Sequence, residues 1–242
     1  MKTLIVIPAR MMATRFPNKP MALIKGKPMI EHVWDKAVKS KIGRVIVACC
    51  EKEVAECISS IGGEVILTNP DIPSGTDRVF SAIENDPDFL SFDSIINLQG
   101  DMPLINTNSI QKVNDAIKQG YDISTLVTNF SSINEMYNNN VTKAHVKWIK
   151  KEIIGEAVSF NKNIKIIGEK DIYHHVGIYG FTPQALTKFV KLNQSEHEKK
   201  YKLEQMRALD NDMTIGISYI KDVPISVDTY EDLINIEKLI KG

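Results

Sequence analysis

The segment TLIVIPARMMATRFPNKP, residues 3–20, joins a short apolar run to a long polar loop. The run TLIVIP at 3–8 is rich in β-branched residues, which predicts a buried strand. Two prolines in the residues that follow exclude a regular helix there. Arg10, Arg15 and Lys19 are therefore expected on an irregular loop at the end of a strand.

Apolar runs and helical patterns continue to alternate through the first half of the chain. Strands are predicted at 3–8, 44–49, 64–68 and 94–99. Helices are predicted at 28–41, 51–61, 75–85 and 108–120. Nearly continuous apolar strands between helices indicate a parallel sheet that is covered on both faces. We therefore expect an α/β fold of three layers, α/β/α, with a mainly parallel, Rossmann-like sheet.

The second half of the chain has a less regular pattern. Strands are predicted within 138–160, with a turn near 150–152, and at 173–181, 214–220 and 223–227. Helices are predicted at 183–192, 196–212 and 229–242. We interpret residues 1–242 as a single α/β domain in which 134–210 form an elaboration at the edge of the fold.

The overall composition is that of an ordinary globular protein. The 242 residues include 43% hydrophobic and 25% charged side chains, and the formal net charge is zero. A general nucleic-acid or membrane-surface binder would show a basic excess, so neither partner is expected. The apolar run Leu4–Ala9 is too short for a signal peptide or a membrane span. The odd number of cysteines (Cys49, Cys50, Cys57) favours a reducing cytoplasm.

In open α/β sheets, ligands bind at the carboxyl ends of the strands. The three cations of the opening loop suit the phosphates of a nucleoside triphosphate, whose charge must be neutralised at several oxygens. Walker spacing and the pattern G-x-G-x-x-G are both missing from the sequence. A solvated loop whose cations pair with surface carboxylates therefore remains an alternative.

Two carboxylates follow other apolar runs. In INLQGDMPLI (96–105), Gln99, Gly100 and Asp101 come directly after a predicted strand, and in PISVDTYEDL (224–233) Asp228 does the same. Magnesium takes one or two carboxylates together with substrate phosphates. The alternatives are a turn aspartate at 101 and a helix-capping aspartate at 228. Taken together with the cationic loop, Asp101 and Asp228 predict a site for a magnesium nucleoside triphosphate.

Several motifs resemble those of a known family. They are VIPAR, TRFPNKPM, GKPMIEHVWDKA, GGEVILT, SGTDR, NLQGDMPLI, HVGIYGF, LEQMRAL and VDTYEDL, in the family's order and over almost the whole chain. The chain resembles the sugar cytidylyltransferases, and it is most similar to those that act on 3-deoxy-manno-octulosonate (Kdo). The resemblance implies a nucleotide-diphospho-sugar transferase-like fold and transfer of CMP from CTP to Kdo with release of pyrophosphate. It also implies a homodimer that supplies lipopolysaccharide synthesis.

The resemblance assigns roles to individual residues. The CTP phosphates would lie against Pro8, Ala9, Arg10, Arg15 and Lys19, with Lys19 stabilising the charge that develops as pyrophosphate leaves. The cytosine and ribose would lie near Ser74, Gly75, Thr76, Arg78 and Gln99. Asp101 and Asp228 would hold Mg²⁺. The acidic sugar would lie near Lys162, His175, Tyr179, Glu204 and Gln205.

The sequence departs from the family pattern at four places. Met102 stands where the family has Glu, Cys49-Cys50-Glu51 replaces Thr-Asp-Asp, Phe160-Asn161-Lys162 replaces Phe-Ser-Arg, and Tyr201 replaces a second Glu. Lysine presents a point charge where arginine would grip a carboxylate with two donors, so the exchange at Lys162 is not neutral. Two alternatives follow. One is a nucleotidyltransferase for another acidic sugar such as a sialic acid, and the other is a catalytically silent nucleotide- or sugar-binding protein.

Overall fold

The computed structural model describes residues 1–12 and 16–239. The chain forms two compact units, which we describe separately. The first comprises Met1–Ile110 and Pro224–Gly242, and the second comprises Gln111–Val223. Within the described residues, no helix is long and apolar enough to cross a membrane. The division into one domain with an elaboration at 134–210 stays a prediction.

The first unit alternates strands with helices, as the sequence predicts. Its strands are β1 (Thr3–Pro8), β2 (Leu23–Ile24), β3 (Lys27–Pro28), β4 (Gly43–Cys49), β5 (Glu64–Leu67) and β6 (Ser94–Asn97). Its helices are α1 (Met29–Lys39), α2 (Lys52–Ser60), α3 (Gly75–Ile83) and α10 (Tyr230–Leu239), with short 3₁₀ turns at Lys19–Met21 and Phe89–Ser91. Helix α4 (Thr107–Ile117) runs across the boundary between the units.

The main sheet of the first unit is parallel, and β2 and β3 form a separate antiparallel pair. The strand order of the main sheet is β5-β4-β1-β6, with Ile5 opposite Ile96 and Ile7 opposite Val47. Residues Leu4 to Ile7 of the central strand are fully buried. Because the strands are parallel, the loops after β1, β4, β5 and β6 all leave from the same edge of the sheet.

The second unit contains the remaining elements. Its strands are β7 (Ile123–Thr128), β8 (Lys143–Lys150), β9 (Ile154–Asn161), β10 (Ile172–Phe181) and β11 (Ile215–Tyr219). Its helices are α5 (Ile133–Tyr137), α6 (Ile164–Ile167), α7 (Pro183–Lys191), α8 (Glu196–Tyr201) and α9 (Met206–Leu209).

The sheet of the second unit is mixed. Its order is β10-β7-β11-β9-β8, and β8 also pairs with β10, so the pairings form a closed circuit. Within residues 111–223, β7 and β11 are parallel and the other pairs are antiparallel. The α/β class is confirmed, but a mainly parallel sheet is wrong for this unit. The tight turn between β8 and β9, where Glu152 has φ 52°, requires antiparallel neighbours.

Three predictions of secondary structure were wrong or incomplete. The helix at 196–212 divides into α8 and α9 because Lys202 takes a left-handed conformation with φ 55°. Residues 223–227 are not a strand, and the Val227 amide instead donates to the Asp101 carbonyl at 2.9 Å. Strand β7 was missed because buried polar residues such as Ser124 and Thr125 interrupt its apolar pattern.

A buried ion pair links α8 to α9. The Arg207 guanidinium donates to both carboxylate oxygens of Glu198, at 2.8 and 2.6 Å, and lies over the Phe189 ring at 4.7 Å. Glu198 also closes the capping box of α8 with Ser195. The arginine of the LEQMRAL motif thus stabilises this part of the second unit.

We expect Arg207→Met to lower the free energy of unfolding by about 3–5 kcal/mol, because it leaves the buried Glu198 carboxylate without its charge partner. Urea unfolding monitored by circular dichroism measures this loss. The double variant Glu198→Leu/Arg207→Met removes both charges and should be more stable than the single variant. A loss below about 1 kcal/mol in the single variant would contradict the role of the pair.

Candidate active site

A cavity of about 400 Å³ opens at the carboxyl edge of the parallel sheet in the first unit. Most of the residues predicted to bind nucleotide or metal line it. They are Pro8, Ala9, Arg10, Lys19, Ser74, Gly75, Arg78, Gln99, Asp101 and Asp228. Phe16, Pro20, Ile72 and Gly100 complete the wall. The strand-end loops therefore converge on one concave site.

Lys19 lies between the two predicted metal ligands. Its Nζ is 2.8 Å from Asp101 Oδ2 and 3.5 Å from Asp228 Oδ1. The side chains of Lys19 and Asp101 are 18% and 23% exposed, so solvent screens this pair less than it would a surface pair. One ammonium thus holds together two carboxylates from distant parts of the chain.

Backbone contacts bring Asp228 to this position. The Val227 amide donates to the Asp101 carbonyl at 2.9 Å. Thr229 and Asp232 cap the start of α10, since Asp232 Oδ2 accepts from the Thr229 amide at 2.8 Å and Thr229 Oγ1 accepts from the Asp232 amide at 3.2 Å. The Asp228 side chain, just before this helix, contacts Lys19.

The loop that carries Lys19 is fixed at both ends. The Asn18 amide donates to the Met11 carbonyl at 2.9 Å, and the Met11 amide donates to Glu51 Oε1 at 2.8 Å. Glu51, one of the departures from the family pattern, therefore anchors this loop. Arg10 is exposed at the cavity. Arg15 lies outside the described residues.

A close approach of two strand ends requires a glycine at position 100. A β-carbon there would lie 3.0 Å from the Pro8 carbonyl oxygen. Real β-carbons rarely come so close to a backbone oxygen, so a side chain at 100 would push the loops after β1 and β6 apart. Gly100 thus sets the distance between the two loops that form the floor of the cavity.

The start of α3 supplies another wall. Ser74 caps this helix by accepting from the Asp77 amide at 3.1 Å. Arg78 is 2% exposed and donates to Thr68 Oγ1 and to the carbonyls of Asn69, at 3.2 Å, and Pro70. The loop after β5 therefore fixes the orientation of the Arg78 side chain, which lines the cavity.

Thr76 does not line the cavity. It is buried behind the wall, where its hydroxyl accepts from Asn97 Nδ2 at 3.1 Å, and Asn97 Oδ1 in turn accepts from Gln99 Nε2 at 3.0 Å. Sequence reasoning missed Asn97, although a polar residue inside an apolar strand is a recognisable signal. The structure connects Thr76 to the cavity through two amides.

The donors at the cavity suit magnesium. Asp101 and Asp228 offer hard carboxylate oxygens on either side of one ammonium. Within residues 1–12 and 16–239, no group of three or more His, Cys, Asp or Glu side chains could hold a metal. Two carboxylates are nevertheless the usual protein share of a magnesium site that is completed by phosphates and water.

Two of the departures beside this site, Met102 and Cys49, place apolar or uncharged side chains there. Met102 is buried where the family has a carboxylate. Cys49 is buried at the end of β4, and burial raises its pKa to about 11, so it stays a neutral thiol. Cys49, Cys50 and Cys57 are free thiols.

The predicted acceptor residues belong to the second unit. The His175 and Tyr179 rings lie 5.6 Å apart, and the Phe160 ring of β9 lies 5.0 Å from His175. Burial raises the pKa of Tyr179, and the nearby Glu204 carboxylate raises it further. Gln205 is buried directly after Glu204. The structure thus brings His175, Tyr179 and Glu204 into one neighbourhood.

Lys162 is fixed through its backbone. Its carbonyl accepts from Lys143 Nζ at 2.7 Å, and the same ammonium donates to the carbonyls of Asn138, at 2.6 Å, and Val141, at 2.9 Å. Lys143 is fully buried, and burial lowers its pKa. Sequence reasoning missed Lys143 as the residue that holds the chain at 162.

His175 lies just before a bulge of β10. The register against β7 shifts between Val176 and Tyr179. Thr125 Oγ1 lies 3.0 Å from His175 Nε2 and donates to the Ile178 carbonyl at 2.8 Å, so His175 Nε2–H is the donor to Thr125. Burial lowers the pKa of His175 to about 3, with a smaller contribution from His174. The imidazole is therefore neutral.

This lowered pKa should make stability depend on pH. In the unfolded chain His175 binds a proton near pH 6.5, whereas in the folded chain its pKa is lowered to about 3 and it stays neutral above that pH. The free energy of unfolding therefore decreases as the pH falls below 6.5, and this group contributes a slope of up to about 1.4 kcal/mol per pH unit. We expect His175→Gln to have a flatter profile between pH 7 and 4, measured by urea unfolding. Parallel profiles for the two proteins would contradict a neutral buried His175.

Comparisons with known proteins agree with this geometry. The model of the Cytidylyltransferase family matches residues 4–215. A 3-deoxy-manno-octulosonate cytidylyltransferase from Paramagnetospirillum magneticum is 42% identical over 99% of this chain and 98% of its own length. An enzyme of the same name from Parvibaculum lavamentivorans is 44% identical over 95% of this chain and 89% of its own length.

Solved structures are similar in fold. A CMP:2-keto-3-deoxy-manno-octonic acid synthetase complexed with CTP matches with a TM-score of 0.89 and 29% identity, covering 99% of this chain and 98% of that one. A cytidylyltransferase from Leptospira borgpetersenii matches with a TM-score of 0.64 and 16% identity over 100% of this chain and 89% of its own, which shows a shared fold. On this combined evidence of sequence and structure, the chain belongs to the cytidylyltransferase family.

Proposed function

We propose that this protein transfers CMP from CTP to Kdo and releases pyrophosphate. The observation that carries the proposal is the placement of Lys19 between Asp101 and Asp228 in a cavity at the carboxyl edge of a parallel sheet. Relatives that are 42% and 44% identical over nearly the whole chain bear the name of this activity. The product would supply lipopolysaccharide synthesis in the cytoplasm.

Lys19 and Arg10 would neutralise the triphosphate. Transfer of CMP is an in-line displacement at the α-phosphate, in which the sugar hydroxyl forms the new P–O bond as the bond to pyrophosphate breaks. Positioning and electrostatic stabilisation are the main contributions of a protein to such a reaction. Lys19 would move its ammonium from the carboxylates to the phosphate oxygens, and Arg15 would add a further cation.

Asp101 and Asp228 would hold Mg²⁺ once Lys19 turns towards the phosphates. The ion would neutralise phosphate charge and help to lower the pKa of the attacking hydroxyl. Asp101 stays fixed because its backbone is bound to Val227, and the capping of α10 by Thr229 and Asp232 keeps Asp228 opposite it. The two carboxylates are therefore arranged before substrate binds.

Kdo would be recognised by residues of the second unit: Lys162, His175, Tyr179, Glu204 and Gln205. Because His175 is neutral, it would orient the sugar by hydrogen bonding, and Lys162 would supply the positive charge for the sugar carboxylate. Ser74, Gly75, Thr76, Arg78 and Gln99 would surround the cytosine and ribose, with Pro8 and Ala9 beside the phosphates.

We also propose that the chain has the three-layer arrangement of the nucleotide-diphospho-sugar transferases and that it forms a homodimer. Strands β8 and β9 and the turn between them expose Ile149, Ile153 and Val158, at 70%, 44% and 49%. Exposed apolar side chains that are close in sequence on neighbouring strands favour a protein partner. A second copy of this chain is the partner that the family resemblance implies.

Pyrophosphate release with CTP and magnesium tests the function directly. We expect release with Kdo and none with a sialic acid or without sugar. Release with a sialic acid alone would keep the chemistry and change the acceptor, with Lys162, Met102 and Tyr201 as the residues responsible. Thermal stabilisation by CTP without release from any sugar would show a silent binding protein.

The carboxylates provide a sharper test. We expect Asp101→Ala and Asp228→Asn to lower kcat by about 10²-fold or more, since each removes charge from the magnesium site. Glu231→Gln is the matched control, because it removes one carboxylate charge from the first turn of α10 and its side chain is exposed. Its kcat should remain close to wild type, and thermal melting should show all three variants folded. Wild-type turnover in Asp101→Ala would refute the assignment of the metal site.

A further inference from the structure

A buried ammonium lies where three strands of the second unit meet. Lys143, the first residue of β8, stands opposite Asn161 of β9 on one side and opposite His174 of β10 on the other. Its side chain is fully buried. A lysine is rarely buried in this way unless its ammonium is fully bonded.

The Lys143 ammonium has three backbone acceptors. Its Nζ donates to the carbonyls of Asn138, Val141 and Lys162, at 2.6, 2.9 and 2.7 Å. An ammonium carries three N–H donors and a backbone carbonyl only accepts, so every bond has one possible direction and every donor is used. Because Asn138 and Val141 belong to the turn after α5 and Lys162 follows β9, the side chain joins these two segments.

Thr142 and Lys143 together hold two segments that carry predicted acceptor residues. The carbonyl of Thr142 accepts from the His175 amide at 2.9 Å, and the next residue, Lys143, holds the Lys162 carbonyl. The Phe160 ring, two residues before Lys162, lies 5.0 Å from the His175 ring. The spacing between the backbones of Lys162 and His175 therefore depends on Thr142 and Lys143.

A lysine at position 162 depends on its backbone more than an arginine would. Lysine presents one compact charge on a flexible stem of four carbons, whereas an arginine binds a carboxylate with two donors in a rigid fork. A binding group must be held within about 0.5 Å of its productive position by the contacts that support it. The bond from Lys143 fixes the point from which the Lys162 side chain starts, and it thereby narrows the region that the Lys162 ammonium can reach.

We propose that Lys143 is a positioning residue for the acceptor sugar: it holds the backbone of Lys162 at a fixed spacing from His175, so that the Lys162 ammonium meets the carboxylate of the sugar. The inference rests on the proposed function, because it takes an acidic sugar as the ligand of these residues. It adds a residue that is closed off from solvent and therefore does not touch the sugar. Lys143 would act on sugar affinity through Lys162 and leave CTP binding unchanged.

The first test separates affinity for the sugar from turnover. Lys143→Met keeps an unbranched apolar stem and removes the ammonium. We expect it to raise the KM for Kdo at least about 10-fold, which corresponds to the loss of one charge-assisted contact, with kcat and the KM for CTP within about 2-fold of wild type. Pyrophosphate release with CTP and magnesium gives all three parameters. Calorimetric titration with Kdo in the presence of CMP, which carries no pyrophosphate to release, gives the dissociation constant independently.

A double-variant cycle shows whether the effect passes through Lys162. Lys162→Met alone should raise the KM for Kdo at least as much as Lys143→Met does. If Lys143 acts by placing the Lys162 ammonium, adding Lys143→Met to Lys162→Met should raise the KM no further. A lysine that only stabilised the fold would instead lower the folded fraction and hence the apparent kcat, and its loss would leave both KM values unchanged.

Two further variants complete the design. Lys147→Met is the matched control, because it removes an exposed lysine from the same strand β8 and should leave every parameter unchanged. Lys143→Arg keeps the buried charge and its donors but offers them in a planar fork, which differs from the ammonium that three carbonyls surround. It should raise the KM for Kdo by a smaller factor than Lys143→Met. It also serves as the test if thermal melting shows that Lys143→Met does not fold.

The outcomes separate this inference from the proposed function. An unchanged KM for Kdo in Lys143→Met and Lys143→Arg, while the wild type releases pyrophosphate with Kdo, would overturn the role of Lys143 and leave the proposed function intact. An equal rise in KM with and without Lys162→Met would overturn that role as well. A loss of Kdo affinity that disappears in the Lys162→Met background would support it even if no pyrophosphate were released, in which case the proposed function alone would fail. A wild type that neither binds nor uses Kdo would overturn both.

Discussion

The candidate site depends on one ammonium group that two carboxylates share. Lys19, Asp101 and Asp228 come from three distant segments of the chain, and the charges of the largely buried Lys19 and Asp101 would be unfavourable in the cavity without an opposite charge. The backbone bond from Val227 to Asp101 holds the last segment against the loop after β6. In the proposed function, phosphate oxygens would replace the carboxylates as partners of the Lys19 ammonium, and a metal ion would replace that ammonium as the partner of the carboxylates.

The second unit uses polar groups in a different way. Lys143 donates to three backbone carbonyls, His175 is bound to Thr125, and Glu198 is paired with Arg207. Each of these groups has its hydrogen-bond or charge partners within the protein, whereas Lys19 and its carboxylates would change partners if the proposed ligand bound. Their effect is to fix the backbone at Lys162, the bulge of β10 and the turn between α8 and α9. Rigid supports of this kind place a binding surface precisely without contributing charge to it.

The strand-end residues could be predicted because they depend on local pattern. An apolar run followed by Gly100-Asp101 indicates both the strand and the edge of the sheet at which its carboxylate lies. The division of 196–212 could not be predicted, because the helix ends where the buried pair of Glu198 and Arg207 folds the chain back on itself. Strand β7 is hidden because residues such as Thr125 are polar in sequence but are satisfied by partners far along the chain. The errors thus concern interactions between distant residues.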